Sequence, residues 1–432
     1  MDENYRDRLA ALSGGTDFEA PPIEHGRCEE VRFRVEPVRT LVRWSAPFRP
    51  LLFQAELIEE LASSGGSGAQ LLVLPTGAGK TAVAASSVLH WLERVHGSVV
   101  WLSPQRELVS QAHIAVGKLW ESGCGPDCLD LVLLPGGREA IYGGRPRVLF
   151  ATPQLLLRNA SLFQAIRASG PLAVIVDEAH HFGADAFASI VRLLALDGAR
   201  LLGLSATPRS SSQATREALS SIFASGLLMS KRLGANPAAE LQRMGVLANV
   251  VHQDLAIPAA KRSGIYSSAA RWKLKDLVSD PDRWRVIVDH ICLHGETDRQ
   301  IVCCLDRAHG IALTRALRKR GLDSAAYIDG EYSVCDRASV LEAFHEGRVR
   351  TLVQVQLVME GVDLPRADSL VLTHPITSEV EAAQAIGRIL RGPAVGGTKN
   401  SKVVSSDVDQ VWIDEMLNLG DLPLSGWRVR WA

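Results

Sequence analysis

Cysteine is scarce in this sequence, and neither sign of charge is in excess. Seven cysteines among 432 residues argue against a disulfide-bonded scaffold, and a chain of this length buries large apolar cores without such bonds. Cys124 and Cys128 have no second pair of ligands at zinc-binding spacing, so free thiols are favoured over a zinc site. The formal net charge is −1, which excludes a uniformly basic surface for polyanions and leaves only local patches.

Long apolar runs are also absent. No run approaches the roughly 18 residues of a membrane-spanning helix, and the opening sequence lacks the apolar core of a secretory signal. Hydrophobic residues still make up 47% of the chain and charged residues 22%, which is typical of a globular protein. We therefore expect a cytoplasmic protein of two or three domains with no membrane partner, at about 150 residues per domain.

Short apolar runs alternate with helical stretches along most of the chain. A first series comprises AQLLVLPTGAG, GSVVWLSPQ, PRVLFATPQ, PLAVIVDEAH and ARLLGLSATP, and a later series comprises RQIVCCLDRAHG, SAAYIDG, RTLVQVQLV and DSLVLTHP. Fully apolar strands that alternate with helices are typical of a parallel sheet covered on both faces. The sequence predicts an α/β fold with an N-terminal extension (1–44), two tandem domains (45–235 and 236–405) and a C-terminal tail (406–432).

The segment Leu74–Thr81 has the composition of a phosphate-binding loop between a strand and a helix. Its glycines let backbone N–H groups approach phosphate oxygens, and the following helix presents its positive end to the anion. Lys80 is placed to reach the β- and γ-phosphates of a nucleotide, and the Thr81 hydroxyl is placed to bind Mg²⁺. Leu74 stands where the strict pattern has glycine, so the identification depends on the strand–loop–helix context.

Asp177 and Glu178 end another apolar run. Two carboxylates at the end of a buried strand need a cation or polar partners. Asp177 suits Mg²⁺ binding, and Glu178 suits activation of an attacking water. Together with the phosphate-binding loop, this acidic pair predicts an ATPase that uses Mg²⁺.

Further motifs occur in an order that resembles the superfamily 2 helicases and translocases, with a DEAH box at Asp177–His180. Pro104–Leu108 resembles motif Ia, Glu360–Pro365 resembles motif V, and Gln384–Arg391 resembles motif VI. The forms of motifs V and VI are most similar to the XPB-like proteins and the restriction-enzyme motor subunits. The resemblance covers most of the chain and implies two RecA-like domains with the ATP site in the cleft between them.

The resemblance also implies a role for each matching residue. The residues expected to bind ATP are Gln54, Thr76, Gly77, Ala78, Gly79, Lys80, Thr81, Gly361 and Asp363. Those expected to bind Mg²⁺ are Thr81 and Asp177. The residues expected to take part in catalysis are Lys80, Asp177, Glu178, Arg388 and Arg391. The two arginines are expected three residues apart on one helix face, where they supply positive charge to the γ-phosphate. Coupling falls to Ser205, Thr207, His180 and Gln384. Nucleic-acid contact falls to Pro104, Arg106, Gly136, Gly137, Thr152, Gln154 and His309.

Two basic stretches outside these motifs, 31–50 and 261–285, are expected either to follow a nucleic-acid backbone or to be solvated faces. Val355 and Ala385 depart from the family pattern, which weakens the expectation of strand unwinding more than that of ATP binding. We expect an ATP-dependent helicase or translocase that acts on nucleic acid, DNA more than RNA.

Two alternatives stay open. One is a double-strand DNA translocase that serves as the motor subunit of a restriction, defence or repair complex. The other is an ATP-gated clamp or recruitment subunit with negligible turnover. The short sequence after residue 405 further predicts a partner protein that supplies specificity.

Overall fold

The computed structural model describes residues 2–16, 18, 48–63, 68–134, 145–170, 172–179, 185–195, 198–206, 213–257, 271–355, 367–376, 385–417 and 427–432. These residues divide into two compact units. The first unit contains the described residues between 48 and 240 together with the C-terminal residues 427–432. The second unit contains the N-terminal residues 2–16 and 18 and the described residues from 241 to 417.

The first unit is built on a parallel sheet. Its strands are β1 (Ala69–Val73), β2 (Ser98–Leu102), β3 (Asp130–Leu133), β4 (Arg147–Ala151), β5 (Ala173–Val176), β6 (Arg200–Ser205), β7 (Gly226–Met229) and β14 (Val429–Trp431). They lie in the order β14-β7-β1-β6-β5-β2-β4-β3, and each neighbouring pair is parallel. Its helices are α2 (Leu52–Ser63), α3 (Lys80–Arg94), α4 (Arg106–Glu121), α5 (Pro153–Arg158), α6 (Ala160–Ala168), α7 (Asp185–Ala195), α8 (Gln213–Ile222) and the first half of α9 (Pro237–Arg243), which continues across the boundary between the units.

The second unit repeats this architecture. Its strands are β8 (Asn249–Asp254), β9 (Gln300–Cys303), β10 (Ala325–Ile328), β11 (Thr351–Gln354), β12 (Ser369–Leu372) and β13 (Asn400–Ser405). They form a parallel sheet in the order β10-β11-β9-β12-β13-β8. Its helices are α1 (Asp2–Ser13), α10 (Arg271–Val278), α11 (Pro281–His294), α12 (Arg307–Lys319), α13 (Val334–Glu346) and α14 (Gln410–Met416).

Each sheet is covered by helices because most of its strands are apolar on both faces. Strands β2, β4 and β5 are buried at every position, and their side chains form the core of the first unit with those of the flanking helices. The expected α/β class with two parallel sheets is therefore confirmed. Because the strands of each sheet are parallel, their carboxyl ends meet at one edge, where ligands of such folds bind. Within the described part of the chain, every helix is too short or too polar to cross a membrane.

The two ends of the chain are folded parts of the units. Helix α1 buries Tyr5 and Leu9 in the core of the second unit. Strand β14 pairs in parallel with β7, and Val429 and Trp431 pack against the core of the first unit. Apolar side chains near both ends of the chain thus pack against residues that lie far away in sequence.

Candidate active site

The phosphate-binding loop leaves β1 and enters α3. Ala78 N–H donates to the Pro75 carbonyl at 3.1 Å, and Val83 N–H donates to the Gly79 carbonyl at 3.0 Å. Gly77 and Gly79 both have φ of 84°, a left-handed conformation that glycine adopts without steric cost. Lys80 is the first residue of α3 and is only 8% exposed. The loop therefore places a lysine and free helix N–H groups at the same point.

Gln54 braces the loop from α2. Its Nε2 donates to the Ala78 carbonyl at 2.9 Å, and its Oε1 accepts the Leu51 N–H at 2.9 Å. A Cβ atom at Gly79 would lie 2.5 Å from Gln54 Nε2, so a larger residue there would displace the Gln54 amide. The expectation from sequence was nucleotide contact, and the structure shows that both polar groups of Gln54 have backbone partners.

Asp177 and Glu178 follow β5 and face the same loop. Asp177 is 6% exposed, its backbone N–H donates to the Leu102 carbonyl at 2.8 Å, and its Oδ1 accepts the Glu178 N–H at 3.0 Å. Glu178 Oε1 lies 4.0 Å from Lys80 Nζ. Glu178 has φ of 46°, which is uncommon for a residue with a side chain and typical of strained functional positions. The structure thus brings Lys80, Asp177 and Glu178 together.

The Asp177 carboxyl is held in a poorly hydrated place. Burial and the neighbouring Glu178 charge raise its pKa to about 7, against the opposing effects of Lys80, the Glu178 N–H and the Ser103 hydroxyl. A cation beside Asp177 would favour the charged form of the carboxyl. Ser103, which is 0% exposed at the end of β2, was missed by the sequence interpretation. Its position directly after an apolar strand could have identified Ser103 as a site residue.

The residues at this edge fit a magnesium nucleotide. Glycines at Gly77 and Gly79 leave the loop backbone open to phosphate oxygens, and Lys80 supplies a cation. The Thr81 hydroxyl and the Asp177 carboxylate are hard oxygen ligands of the kind that Mg²⁺ prefers. The donor set therefore suits Mg²⁺ and not a soft metal.

Ser205 joins the loop to the neighbouring strand. It ends β6, is 1% exposed, and its carbonyl accepts the Leu74 N–H at 3.2 Å. Its partner in register is Val73 at the end of β1. A displacement of β6 would therefore be transmitted directly to the first residue of the phosphate-binding loop.

The expected nucleic-acid residues of the first unit lie farther along the same edge. Leu102 at the end of β2 is in register with Ala151 at the end of β4, which places Pro104 and Arg106 beside Thr152 and Gln154. Arg106 is exposed at the start of α4. Thr152 caps α5 by accepting the Leu155 N–H at 3.3 Å. Gln154 Oε1 is buried and has no hydrogen-bond partner among the described residues. Arg106 thus offers an exposed cation at this edge.

His309 lies in the interior of the second unit. It is 1% exposed, its Nδ1 accepts the Leu305 N–H at 3.3 Å, and burial together with His374 and Arg283 lowers its pKa to about 3. A neutral, enclosed imidazole does not contact a nucleic-acid strand. The sequence interpretation of His309 as a nucleic-acid residue is corrected accordingly, since the ring braces the loop after β9.

Arg388 and Arg391 do not share a helix face. The described helical turn ends at Gly387, and Arg391 forms an antiparallel bridge with Leu247. The reason is backbone pairing, because Ala248 N–H donates to the Leu390 carbonyl at 2.7 Å and Gly392 N–H donates to the Val246 carbonyl at 2.9 Å. The helical spacing expected from sequence is therefore wrong, although both arginines are partly exposed.

The basic stretch 261–285 is not a continuous surface patch at its described end. Arg283 is 0% exposed and Trp284 is 6% exposed on α11. Arg283 forms an ion pair with the fully buried Asp407, and its Nη1 donates to Ser406 Oγ at 3.1 Å. These two residues belong to the core of the second unit.

Other sequence-based assignments lie outside the described residues. They concern Gly136, Gly137, His180, Thr207, Gly361, Asp363 and Gln384.

Two family models match this chain. One, described as DEAD/DEAH box helicase, matches residues 52–215 and contains the loop and the acidic pair. The other, described as helicase conserved C-terminal domain, matches residues 282–393 and contains both arginines. Helices α1 and α10 and strand β14 lie outside both matches.

Individual relatives agree with these matches. The ATP-dependent DNA helicase RecG of Acidithiobacillus ferridurans is 27% identical over 370 residues, which are 80% of this chain and 46% of RecG. The DNA 3'-5' helicase XPB of Kineococcus radiotolerans is 28% identical over 372 residues, which are 82% of this chain and 59% of XPB. This chain thus spans about half the length of such relatives.

A solved structure shares the fold. A fragment of an HsdR subunit of a type I restriction enzyme from Vibrio vulnificus superposes with a TM-score of 0.59 at 19% identity. The match covers 87% of this chain and 68% of that fragment. At this level of identity, the likeness concerns the fold.

Proposed function

We propose that this chain is a superfamily 2 helicase or translocase, in line with its matches to the DEAD/DEAH box helicase and helicase conserved C-terminal domain models, and that it hydrolyses ATP to move along DNA or to separate its strands. The observation that carries the proposal is the meeting of Lys80, Asp177 and Glu178 at the carboxyl edge of the first sheet. A phosphate-binding lysine beside two acids is the arrangement that ATP hydrolysis needs. Two RecA-like units support the same conclusion.

Each residue of the site has a proposed role. Lys80 neutralises the terminal phosphates, and Glu178 accepts a proton from the attacking water. Thr81 and Asp177 would hold Mg²⁺, which supplies charge neutralisation on the phosphates when bound. Arg388 and Arg391 provide further positive charge to the γ-phosphate during turnover.

The proposed track for nucleic acid is the edge formed by Pro104, Arg106, Thr152 and Gln154. Hydroxyl, amide and guanidinium groups contact phosphates without reading bases. DNA is favoured because RecG and XPB are both described as DNA helicases. We further propose that a partner protein supplies specificity. The proposed location is the cytoplasm.

The decisive experiment measures ATP turnover alone and with single-stranded DNA, duplex DNA, single-stranded RNA and duplex RNA. We expect the largest stimulation with one of the DNA substrates. A parallel strand-displacement assay separates unwinding from translocation on intact duplex. Turnover that no nucleic acid changes would contradict the proposed function.

Replacing Glu178 with glutamine should preserve ATP binding and reduce turnover by orders of magnitude. The amide keeps the size of the side chain but accepts no proton from water at neutral pH. Fluorescent-nucleotide titration and steady-state turnover on the same protein check the two effects. Turnover equal to that of the wild type would show that Glu178 does not activate the water.

Replacing Arg106 with alanine should weaken DNA binding equally on unrelated sequences. A lost phosphate contact flattens the log–log salt dependence of binding by about 0.9 on duplex and about 0.7 on a single strand. Titrations at several salt concentrations on two sequences measure this change. Lys118→Ala, at the exposed far end of the same helix, is the matched control and should leave the slope unchanged. A loss confined to one sequence would instead indicate base recognition.

A further inference from the structure

Ser103 lies directly after β2, beside the acidic pair of the candidate active site. Leu102 at the end of β2 is in register with Val176 at the end of β5. The hydrogen bond from Asp177 N–H to the Leu102 carbonyl, 2.8 Å long, continues this parallel ladder by one residue. Ser103 and Asp177 are therefore neighbours across the two strands, and the side chains of such neighbours lie on the same face of a sheet.

The Ser103 side chain is enclosed by the protein. The residue is 0% exposed, and its Oγ has no hydrogen-bond partner in the part of the chain that the structure describes. Leaving a buried hydroxyl without a partner costs about 1–3 kcal/mol. Alanine would fill nearly the same space without that cost. The hydroxyl is therefore explained better by the neighbouring site than by packing.

Polar groups flank the Ser103 hydroxyl at this edge of the sheet. On one side, Ser103 N–H donates to the Ala151 carbonyl at 3.2 Å, which places Thr152 beside it. The Thr152 hydroxyl already accepts the Leu155 N–H. On the other side, the Asp177 carboxyl is close enough to respond to the Ser103 hydroxyl. Because a hydrogen bond to an ionised carboxylate is about twice as strong as one between neutral groups, Asp177 is the favoured acceptor.

We propose that Ser103 is a positioning residue, whose hydroxyl donates to the Asp177 carboxylate when that carboxylate holds Mg²⁺. The inference deepens the proposed function and rests on it, because that function assigns Asp177 to Mg²⁺. Its basis is that a fully buried hydroxyl lies next to this carboxylate across two paired strands. Hydrogen-bond partners of metal ligands fix the orientation of the ligand, and their loss weakens metal binding about 10–100-fold.

Nucleotide binding with and without Mg²⁺ tests the proposal in the absence of turnover. The Kd of a fluorescent, non-hydrolysable ATP analogue is measured for the wild type and for Ser103→Ala, in excess Mg²⁺ and in EDTA. In excess Mg²⁺, Ser103→Ala should bind the analogue about tenfold more weakly. In EDTA the two proteins should bind it equally, because the hydroxyl acts only through the Asp177 carboxylate and its cation.

Ser98→Ala is the matched control at the opposite end of β2. Ser98 is also buried, and its Oγ lies 3.3 Å from Ser169 Oγ. This variant should bind the analogue like the wild type in both conditions, and thermal unfolding verifies that both variants are folded. Equal affinity of Ser103→Ala and the wild type in Mg²⁺, or equal weakening in Mg²⁺ and in EDTA, would overturn the inference.

ATP turnover against Mg²⁺ concentration gives an independent measurement. Ser103→Ala should raise the Mg²⁺ concentration for half-maximal turnover about tenfold and leave kcat at saturating Mg²⁺ close to that of the wild type. A lower kcat with an unchanged Mg²⁺ requirement would contradict a positioning role. A wild-type protein that binds no nucleotide would refute the proposed function and the inference together, whereas nucleotide binding that Ser103→Ala leaves unchanged would refute the inference alone.

Discussion

Replacing Lys80 with alanine is expected to abolish ATP turnover and to weaken nucleotide binding. Lys80 is almost enclosed at the start of α3, and its ammonium group faces Glu178 at 4.0 Å. Without it, the two carboxylates of Asp177 and Glu178 would face the phosphates with no cation from the loop. The combined loss of attraction and gain of repulsion makes this the largest catalytic effect that we expect from one substitution.

The measurement pairs steady-state ATP turnover with nucleotide titration. Lys231→Ala serves as the control, because Lys231 is an exposed lysine of the same unit that we expect to be neutral for turnover. Thermal unfolding verifies that the variant is folded. A Lys80→Ala protein that turned over ATP at the wild-type rate would show that the loop holds no phosphate.

Replacing Arg283 with methionine is expected to destabilise the second unit by about 3–5 kcal/mol. Arg283 and Asp407 are both 0% exposed. The arginine also donates to the Thr373 carbonyl at 3.1 and 2.9 Å, which joins the ends of β12 and β13 to α11. Removing the guanidinium takes a hydrogen-bond donor away from the buried Asp407 carboxylate, the Thr373 carbonyl and the Ser406 hydroxyl.

Urea unfolding, followed separately for the two units, measures the effect. Arg285→Met is the matched control on the same helix, since Arg285 is 71% exposed and pairs with Asp282 at 3.6 Å. Such a surface pair contributes about 0–1 kcal/mol. Joint replacement of Arg283 by methionine and Asp407 by leucine should recover much of the loss, because no charge is then left buried. Equal effects of Arg283→Met and Arg285→Met would contradict a structural role for the buried pair.

The central strands were predictable because each is a continuous apolar run. Strands β13 and β8 could not be predicted from the sequence, although β13 lies inside its sheet. In β13, Asn400 and Lys402 interrupt the apolar pattern, and only Val403 and Val404 are consecutive apolar residues. The pairing of β13 with β12 and β8 depends on backbone hydrogen bonds and neighbours, which a single segment does not reveal.

The site was predictable where chemistry dictates residue order. The phosphate-binding loop and the acidic pair follow directly from strand ends, and the structure brings Lys80 and Glu178 within 4.0 Å. His309 and Arg283 were misplaced because polar residue types suggest exposure. The burial of Arg283 depends on Thr373 and Asp407, which lie 90 and 124 positions away. The residues near Arg283 in the sequence do not indicate those partners.

The positions of α1 and β14 have a consequence for synthesis on the ribosome. The hydrogen-bond partners of the Arg8 and Tyr5 side chains in α1 follow them by 268 and 301 residues, so the helix emerges long before any surface exists to receive it. At about 5–20 residues per second, that interval lasts about 15–60 s. Throughout it, Tyr5 and Leu9 remain open to solvent and to chaperones. One edge of β7 likewise has no strand partner until Val429–Trp431 (β14) is synthesised. The first unit therefore completes its sheet only after the second has been translated.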